Sequence, residues 1–177
     1  MDVRRVVTGH DERGRAVFVS DEEVPPLTMA LLPGSEFHRL WGGDGPPTFP
    51  DDGAPPTQPS YFPGVGGFRF GVFSVPPAGR EPPACLDVPT AMAEVEAKLP
   101  GMLGQMEPEA PGMHTTDTID FEVVLSGEVV LELDDGAERV LGPGDTVVQN
   151  GTRHRWSNRG TEPAVLAVIL LGAHRTC

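Results

Sequence analysis

The distribution of proline along the chain restricts the possible fold more than any other feature of the sequence. Eighteen of the 20 prolines precede residue 112, and only Pro143 and Pro163 follow it. Together with the 22 glycines, this content argues against a helical bundle, because neither residue is well tolerated inside helices. The chain therefore divides into a proline-rich first part and a second part that is better suited to a compact core.

The length of 177 residues is enough for one domain that carries a long arm. We predict an N-terminal arm over residues 1–110, with strands, a flap over 42–67 and one helix over about 89–99. The flap holds seven prolines and seven glycines, which exclude a regular element. Phe49, Tyr61 and Phe62 favour an ordered cover over a cavity, and a disordered loop is the alternative.

Strand signals are denser in the second part of the chain than in the first. The arm is predicted to contain short extended segments at 16–20, 27–32, 37–41 and 67–75. From residue 118 onward, six short strands alternate with turns, a pattern typical of an all-β sandwich or barrel. Residues 111–177 are therefore predicted to form the barrel core, with the arm and its helix packed on it.

Charge and composition exclude several classes of partner. The chain has 13 basic and 26 acidic side chains, and its net charge of −13 opposes binding to the phosphates of nucleic acid. No run of 18 apolar residues is present, so no membrane partner is expected. The two cysteines form neither a disulfide framework nor a metal-binding pattern. A cytoplasmic protein that acts on a small molecule is the expectation.

Two short patterns in the second part carry the candidate chemistry. The first consists of His114, Thr116, Asp120 and Gly127, and the second of Gln149, Gly151, His154 and Asn158. Their spacing resembles the two motifs of the cupin superfamily, His-x-His-x3–4-Glu-x6-Gly and Pro-x-Gly-x2-His-x3-Asn. Thr116 stands in place of the second histidine, Asp120 in place of the glutamate, and Gln149 in place of the proline. The resemblance covers about residues 112–172.

The resemblance implies an all-β fold, namely a cupin-type jelly-roll β-barrel with an extended N-terminal arm and one peripheral helix. It also implies a divalent metal ion, Fe(II), Zn(II), Mn(II) or Ni(II), bound by His114, Asp120 and His154. Two imidazoles and one carboxylate form a facial ligand set that suits such ions and leaves positions open for water or substrate. Because cupins frequently dimerise through such arms, a homodimer is expected.

Other residues are predicted to act beside the metal. Glu122 shares a strand face with Asp120, and a carboxylate inside a barrel must be paired, metal-bound or protonated, so Glu122 is predicted to be the general acid or base. The residues expected to contact substrate are Thr116, Phe121, Trp156, Asn158, Gln149, Arg69 and Trp41. For Arg69 a salt bridge at the rim is the alternative, and for Phe121 and Trp156 it is packing of the barrel.

Three functions are compatible with these residues. The first is a metal-dependent enzyme of lyase, isomerase or cyclase type that acts on an organic acid, a phenol or a polyketide-like molecule, as in similar cupins of natural-product pathways. The metal would polarise a substrate oxygen while Glu122 moves a proton, which suits decarboxylation, dehydration, isomerisation or cyclisation. The second is an Fe(II)-dependent dioxygenase with the same ligands, and the third is a non-catalytic barrel that binds a small molecule.

Overall fold

The computed structural model describes residues 1–176, and its regular structure is almost entirely antiparallel β-sheet. The strands of this part of the chain are β1 Arg4–His10, β2 Ala16–Glu23, β3 Phe37–Gly43, β4 Phe68–Val75, β5 Thr118–Ser126, β6 Val129–Glu132, β7 Glu138–Leu141, β8 Thr146–Asn150, β9 Arg155–Ser157 and β10 Ala164–Gly172. The helix α1 spans Val88–Lys98, and 3-10 turns lie at Leu103–Gln105 and Asp134–Gly136. The predicted all-β fold is confirmed, including the six strands that follow residue 118.

The strands form three sheets. A five-stranded sheet has the order β3-β4-β10-β5-β8, a three-stranded sheet has the order β7-β6-β9, and β1 pairs with β2 as a separate hairpin. Every pair is antiparallel. The larger two sheets share a core of four fully or almost fully buried residues, namely Val124, Val129, Ala164 and Leu166. The barrel is therefore closed by ordinary apolar packing at this end.

The barrel begins much earlier in the chain than residue 111. β3 and β4, which lie in the predicted arm, are hydrogen-bonded into the five-stranded sheet, with β4 beside β10. The five-stranded sheet therefore crosses the predicted boundary between arm and core, because β3 and β4, the two strands at one of its edges, come from residues 37–75. The predicted strand at 27–32 is wrong, because Leu27 makes a single bridge to Phe37 and the chain turns soon after it.

Helix α1 lies where the sequence places it. Pro89 occupies its first turn, where a missing N–H group costs no hydrogen bond. Val95 and Leu99 are fully buried in a cluster with residues of the barrel. Val88 and Met92, the other half of the predicted apolar stripe, are about half exposed. No helix in residues 1–176 has the length and apolar content needed to cross a membrane.

The flap, residues 42–67, is held in place by two arginines of the sheet. Arg39 donates a hydrogen bond to the carbonyl of Gln58 at 2.7 Å. The Nε of Arg69 donates to the carbonyl of Ser60 at 3.0 Å. Because the flap has no strand partners for most of its length, these side chains satisfy backbone groups that a sheet would otherwise satisfy.

Candidate functional site

A cavity of about 230 Å³ lies inside the barrel, beside the flap. Most of its wall is aromatic or aliphatic, with contributions from Phe37, Tyr61, Phe62, Phe73, Met102, Leu103, Met106, Trp156, Val168 and Leu170. Four ionisable side chains interrupt this apolar wall, namely His114, Asp120, Glu122 and His154. An apolar cavity with a few convergent polar groups is the usual form of a small-molecule site.

The two histidines are held side by side by the backbone. The N–H of His114 donates to the carbonyl of His154 at 2.9 Å, and the N–H of His154 donates to the carbonyl of His114 at 3.0 Å. Their ring centroids are 4.1 Å apart. Each Nδ1 lies beside a carbonyl oxygen, that of Gly112 at 3.1 Å or that of Thr152 at 3.0 Å. Since a carbonyl only accepts, Nδ1 carries the proton and the lone pair of the neutral ring is on Nε2.

Burial keeps both imidazoles uncharged at neutral pH. It lowers the pKa of His154 to about 4, and the neighbouring His114 contributes in the same direction. Burial also lowers the pKa of His114, against the opposing effect of the Gly112 carbonyl. Both Nε2 atoms are therefore hydrogen-bond acceptors and are available as metal ligands.

The two carboxyl groups of β5 are buried and line the same cavity as the histidines. Asp120 is 3% exposed and Glu122 is 6% exposed, and Asp120 Oδ1 and Glu122 Oε2 have no hydrogen-bond partner among residues 1–176. Burial raises the pKa of Asp120 to about 6, partly offset by the Thr118 hydroxyl. Burial, followed by the charge of Asp120, raises the pKa of Glu122 to about 8. Unpartnered buried oxygens are rare and indicate a place where a ligand supplies the partner.

The glycine of the first motif has a structural explanation. Gly127 begins the turn between β5 and β6 with a φ of 74°, in the region that favours glycine. A Cβ atom at this position would lie 2.7 Å from the Cα of Ala164. The motif spacing therefore reflects a turn that lets the ends of β5 and β10 pack closely.

Three predicted substrate contacts stabilise turns and strand ends and do not line the cavity. The hydroxyl of Thr116 is hydrogen-bonded to that of Thr118 at 2.8 Å. The Nδ2 of Asn158 donates to two backbone carbonyls, at 2.9 and 2.8 Å. The Nε2 of Gln149 donates to the carbonyl of Thr152 at 3.0 Å. None of the three side chains is among those that line the cavity, and their role as substrate contacts stays a prediction.

Three more of the predicted substrate contacts lie outside the cavity. Phe121 alternates with Asp120 along β5, so it points to the outer face of the sheet. Arg69 is buried and donates to the flap and to Asp44, in agreement with the alternative of a salt bridge. Trp41 lies outside the cavity, with the guanidinium of Arg5 5.8 Å from its ring centroid.

Trp156 is the one predicted substrate contact that lines the cavity. Its ring meets that of His154 edge to face, with centroids 6.1 Å apart. Phe37 and Phe73, which are cross-strand partners on β3 and β4, also line the cavity and were not among the predicted contacts. Strand alternation could have placed this pair inside, but only if both strands had been assigned to the barrel.

The four ionisable groups fit a divalent ion only in part. The paired histidines suit one, because a backbone carbonyl orients each ring so that Nε2 is free. The predicted ligands His114, Asp120 and His154 all line the same cavity. Within residues 1–176, however, no three His, Cys, Asp or Glu side chains lie close enough together to hold one ion. The histidine pair therefore fits a metal, while the complete ligand set stays a prediction.

Comparison with known proteins agrees with this architecture. Residues 102–170 match the Cupin_2 family model, described as a cupin domain. Over this segment the resemblance to the cupin superfamily that the two motifs indicate is confirmed.

Three curated relatives show where the similarity lies. The phomopsin biosynthesis cluster protein C' of Diaporthe leptostromiformis is 55% identical over 47 residues, which are 27% of this chain and 25% of that protein. The cupin-domain-containing oxidoreductase fogC of Aspergillus ruber is 36% identical over 40% of this chain and 38% of its own. The cupin-domain-containing oxidoreductase srdB of Neurospora crassa is 28% identical over 96% of this chain and 74% of its own. The match thus spans about a quarter of the first relative.

Proposed function

We propose that this protein is a cupin enzyme of small-molecule biosynthesis that transfers protons to and from a substrate held in the cavity. One observation carries the proposal. Asp120 and Glu122, each with a buried oxygen that has no partner among the described residues, line the same largely apolar cavity as the imidazoles of His114 and His154. Buried polar groups that serve only the fold are normally hydrogen-bonded, so these four groups are arranged for a ligand. Relatives named as biosynthesis cluster proteins and oxidoreductases support an enzyme.

The two carboxyl groups are suited to opposite roles in proton transfer. Near pH 7, Asp120 with a pKa of about 6 is mostly ionised, and Glu122 with a pKa of about 8 is mostly protonated. Glu122 can therefore donate a proton to the substrate, while Asp120 or the Nε2 of His114 accepts one. Such a pair of transfers is what isomerisation, dehydration and cyclisation of an enol or phenol require.

A divalent ion at the Nε2 atoms of His114 and His154 would add polarisation of a substrate oxygen. We expect protein purified without a histidine tag to contain bound metal, measured by inductively coupled plasma mass spectrometry, and we expect His154→Ala to lose it. His174→Ala is the matched control, because His174 is exposed. Equal metal content in wild type and His154→Ala would exclude the histidine pair as the binding site.

The test of proton transfer uses resorcinol in D₂O, because its ring carbons exchange hydrogen through a keto tautomer. We expect the wild-type protein to accelerate deuterium incorporation at these carbons, followed by ¹H NMR. Glu122→Gln should lose most of the acceleration, by a factor of about 10²–10⁴, since it removes the proton donor without changing the shape of the side chain. Glu128→Gln, on an exposed turn, is the control and should keep it.

Exchange at the same rate in Glu122→Gln would assign the chemistry to another group. Binding of resorcinol without any exchange would favour a non-catalytic barrel that binds a small molecule. Fe(II)-dependent dioxygenation is the second candidate, favoured by several relatives that are named as oxidoreductases. It requires consumption of O₂ together with substrate and activity restored by iron, which an oxygen electrode would measure.

A further inference from the structure

Tyr61 of the flap is held firmly in the wall of the cavity. Its N–H donates to the carbonyl of Pro100 at 2.8 Å, which fixes the backbone of the flap just beyond the end of helix α1. Its ring meets that of Phe37 edge to face with centroids 6.2 Å apart, and that of Phe62 with centroids 4.9 Å apart. Edge-to-face contacts of this kind are favourable, so the fold sets the position of the Tyr61 hydroxyl.

The hydroxyl of Tyr61 is a polar group without a partner. Among residues 1–176 it makes no hydrogen bond, although the hydroxyl of the neighbouring Ser60 donates to the carbonyl of Phe62 at 2.7 Å. Tyr61 lines the same cavity as Asp120 and Glu122. Because tyrosine hydroxyls inside a protein usually have a partner, this hydroxyl is arranged for a ligand in the cavity.

Charged groups on two sides act on this hydroxyl. Tyr61 also lines a second, smaller pocket, whose wall includes Arg39. Arg39 donates to two backbone carbonyls and has no carboxylate partner among the described residues. Burial raises the pKa of Tyr61, and the charges of Asp120 and Glu122 add to this effect, whereas Arg39 opposes it. The hydroxyl therefore keeps its proton at neutral pH, and the nearby cation polarises it as a hydrogen-bond donor.

Two serine hydroxyls also belong to the wall of the main cavity, those of Ser35 and Ser74. The hydroxyl of Ser74 accepts a hydrogen bond from the N–H of Glu36 at 3.0 Å. Ser35 is the alternative donor, but a serine hydroxyl is less acidic than a phenol and is therefore the weaker donor. Tyr61 combines a fixed ring, an unpartnered hydroxyl and a nearby cation.

The proposed proton transfer needs a donor at the substrate oxygen. When a phenol exchanges a ring hydrogen, a proton leaves its oxygen and another is added at a ring carbon, so negative charge develops on the oxygen. A hydrogen-bond donor that is already in place stabilises such charge without reorganisation. An anionic oxygen has several lone pairs, so a divalent ion at the two histidines leaves room for this donor.

We infer, on the basis of the proposed function, that the hydroxyl of Tyr61 donates a hydrogen bond to the substrate oxygen on which negative charge develops, which makes Tyr61 a further catalytic residue. In deuterium exchange the substrate oxygen gives its proton to Asp120 or His114, and a ring carbon receives a deuteron from Glu122. The reverse transfers remove the hydrogen of that carbon and restore the substrate hydroxyl. Tyr61 keeps its own proton throughout.

The catalytic role is tested by Tyr61→Phe, which removes the hydroxyl and keeps the ring. In the deuterium exchange of resorcinol we expect kcat to fall by about 10²-fold, the loss typical of one such donor. KM should change by less than about threefold, because the hydrogen bond strengthens as the charge develops. Ser60→Ala is the matched control. It removes the neighbouring flap hydroxyl, which lies outside the cavity, and should leave kcat close to that of the wild type.

The hydrogen bond is also tested in the wild type without turnover. Tyr61 is the only tyrosine of the chain, so tyrosine labelled with ¹³C at Cζ gives a single NMR resonance. We expect resorcinol to shift this resonance further than 1,3-difluorobenzene, which has the same ring and no oxygen. Both probes are added in excess to the protein as purified and again after treatment with a chelator. This measurement does not depend on the folding of a variant.

The outcomes distinguish the role of Tyr61 from the proposed function. A wild-type kcat in Tyr61→Phe, an equal loss in Ser60→Ala, or a loss in Ser35→Ala alone overturns the inference while proton transfer stands. A Tyr61 resonance that resorcinol shifts no further than 1,3-difluorobenzene also overturns it. Conversely, the expected shift without any exchange leaves the hydrogen bond to the ligand oxygen correct and removes the enzymatic proposal.

Discussion

The two faces of the five-stranded sheet reverse the usual distribution of polar and apolar side chains. On the inner face, Arg69, Asp120 and Gln149 lie in one register around Leu170 and are almost completely buried. The next row, on the outer face, consists of apolar residues that are 40–54% exposed, namely Phe70, Phe121, Val148 and Ile169. An antiparallel sheet with one solvated face normally shows the opposite pattern.

The inner face itself contains two kinds of buried polar group. Arg69 has its donors paired with the flap, so it contributes to the fold. Asp120 and Glu122 each have an oxygen without a partner, so they weaken the fold and contribute to the site. This difference shows that burial of a charged residue alone does not identify a functional group, whereas an unpartnered buried oxygen of a residue that lines a cavity points to one.

The outer face is partly covered by the N-terminal segment. Val3 and Val24, which flank the β1–β2 hairpin, pack in one cluster with Leu40, Val72 and Val165 of the sheet. The exposed row beyond them contains no charged side chain, although the chain has a net charge of −13. Exposed apolar patches of this kind mark contact surfaces. Two strongly acidic copies repel least where they are uncharged, so this face suits the predicted homodimer.

The largest expected effect is a loss of stability as the pH rises. Between the unfolded pKa of about 4.5 and the folded pKa of about 8, Glu122 holds its proton only in the folded protein. The folded state then binds more protons, so the free energy of unfolding should fall by roughly 3–5 kcal/mol across this window. Asp120, with its pKa raised from 3.8 to about 6, adds to the fall at the acidic end. His154, with its pKa lowered from 6.5 to about 4, opposes it below pH 6.5, because there the unfolded state binds more protons at this histidine.

The measurement is urea denaturation of chelator-treated protein at pH 5, 7 and 9. Glu122→Gln should remove the contribution of Glu122, because the amide does not titrate, so the wild type should lose more stability than this variant between pH 5 and pH 9. Glu128→Gln should behave as the wild type. The same pH dependence in the wild type and in Glu122→Gln would show that Glu122 does not keep its proton in the folded state.

The second prediction concerns Arg69, the buried charged residue of the inner face whose hydrogen-bond donors are paired. Arg69→Met leaves the flap carbonyls of Gly43 and Ser60 without their donor, and we expect it to lower the free energy of unfolding by about 2–4 kcal/mol. It should also increase proteolysis within the flap. Arg4→Met, which removes an exposed ion pair with Asp21, is the control and should change little. Equal effects of the two variants would mean that the flap is not held by Arg69.

The smallest effect on stability is expected on the outer face. Phe121→Asp should convert a dimer to a monomer in light scattering coupled to size-exclusion chromatography. It should change the free energy of unfolding of the monomer by less than about 1 kcal/mol, because Phe121 is already partly exposed. Val140→Asp, on the three-stranded sheet, is the control. A wild type that is monomeric at all concentrations, or a dimer that persists in Phe121→Asp, would show that the outer face of the five-stranded sheet is not a dimer interface.

The sequence allowed much of the site to be predicted, and its errors have identifiable causes. The motif spacing predicted that His114, Asp120 and His154 lie together, and all three line one cavity. The period of two along a strand predicted that Glu122 shares the inner face with Asp120, and it lines the same cavity. The same period could have excluded Phe121, which was nevertheless predicted to contact substrate. Arg69 could not have been assigned correctly, because its partners are backbone carbonyls of a flap without periodicity.

The sequence by itself determined the all-β class, the six strands after residue 118 and the identity of the four ionisable groups, because these depend on local propensity, alternation and motif spacing. Only the tertiary structure decided that β3 and β4 belong to the barrel and that Tyr61 and Phe62 of the flap line the cavity. It also decided that no lysine or arginine among the described residues lines this cavity. These features depend on contacts between segments far apart in the chain, and local patterns of proline, glycine and hydrophobicity do not encode such contacts.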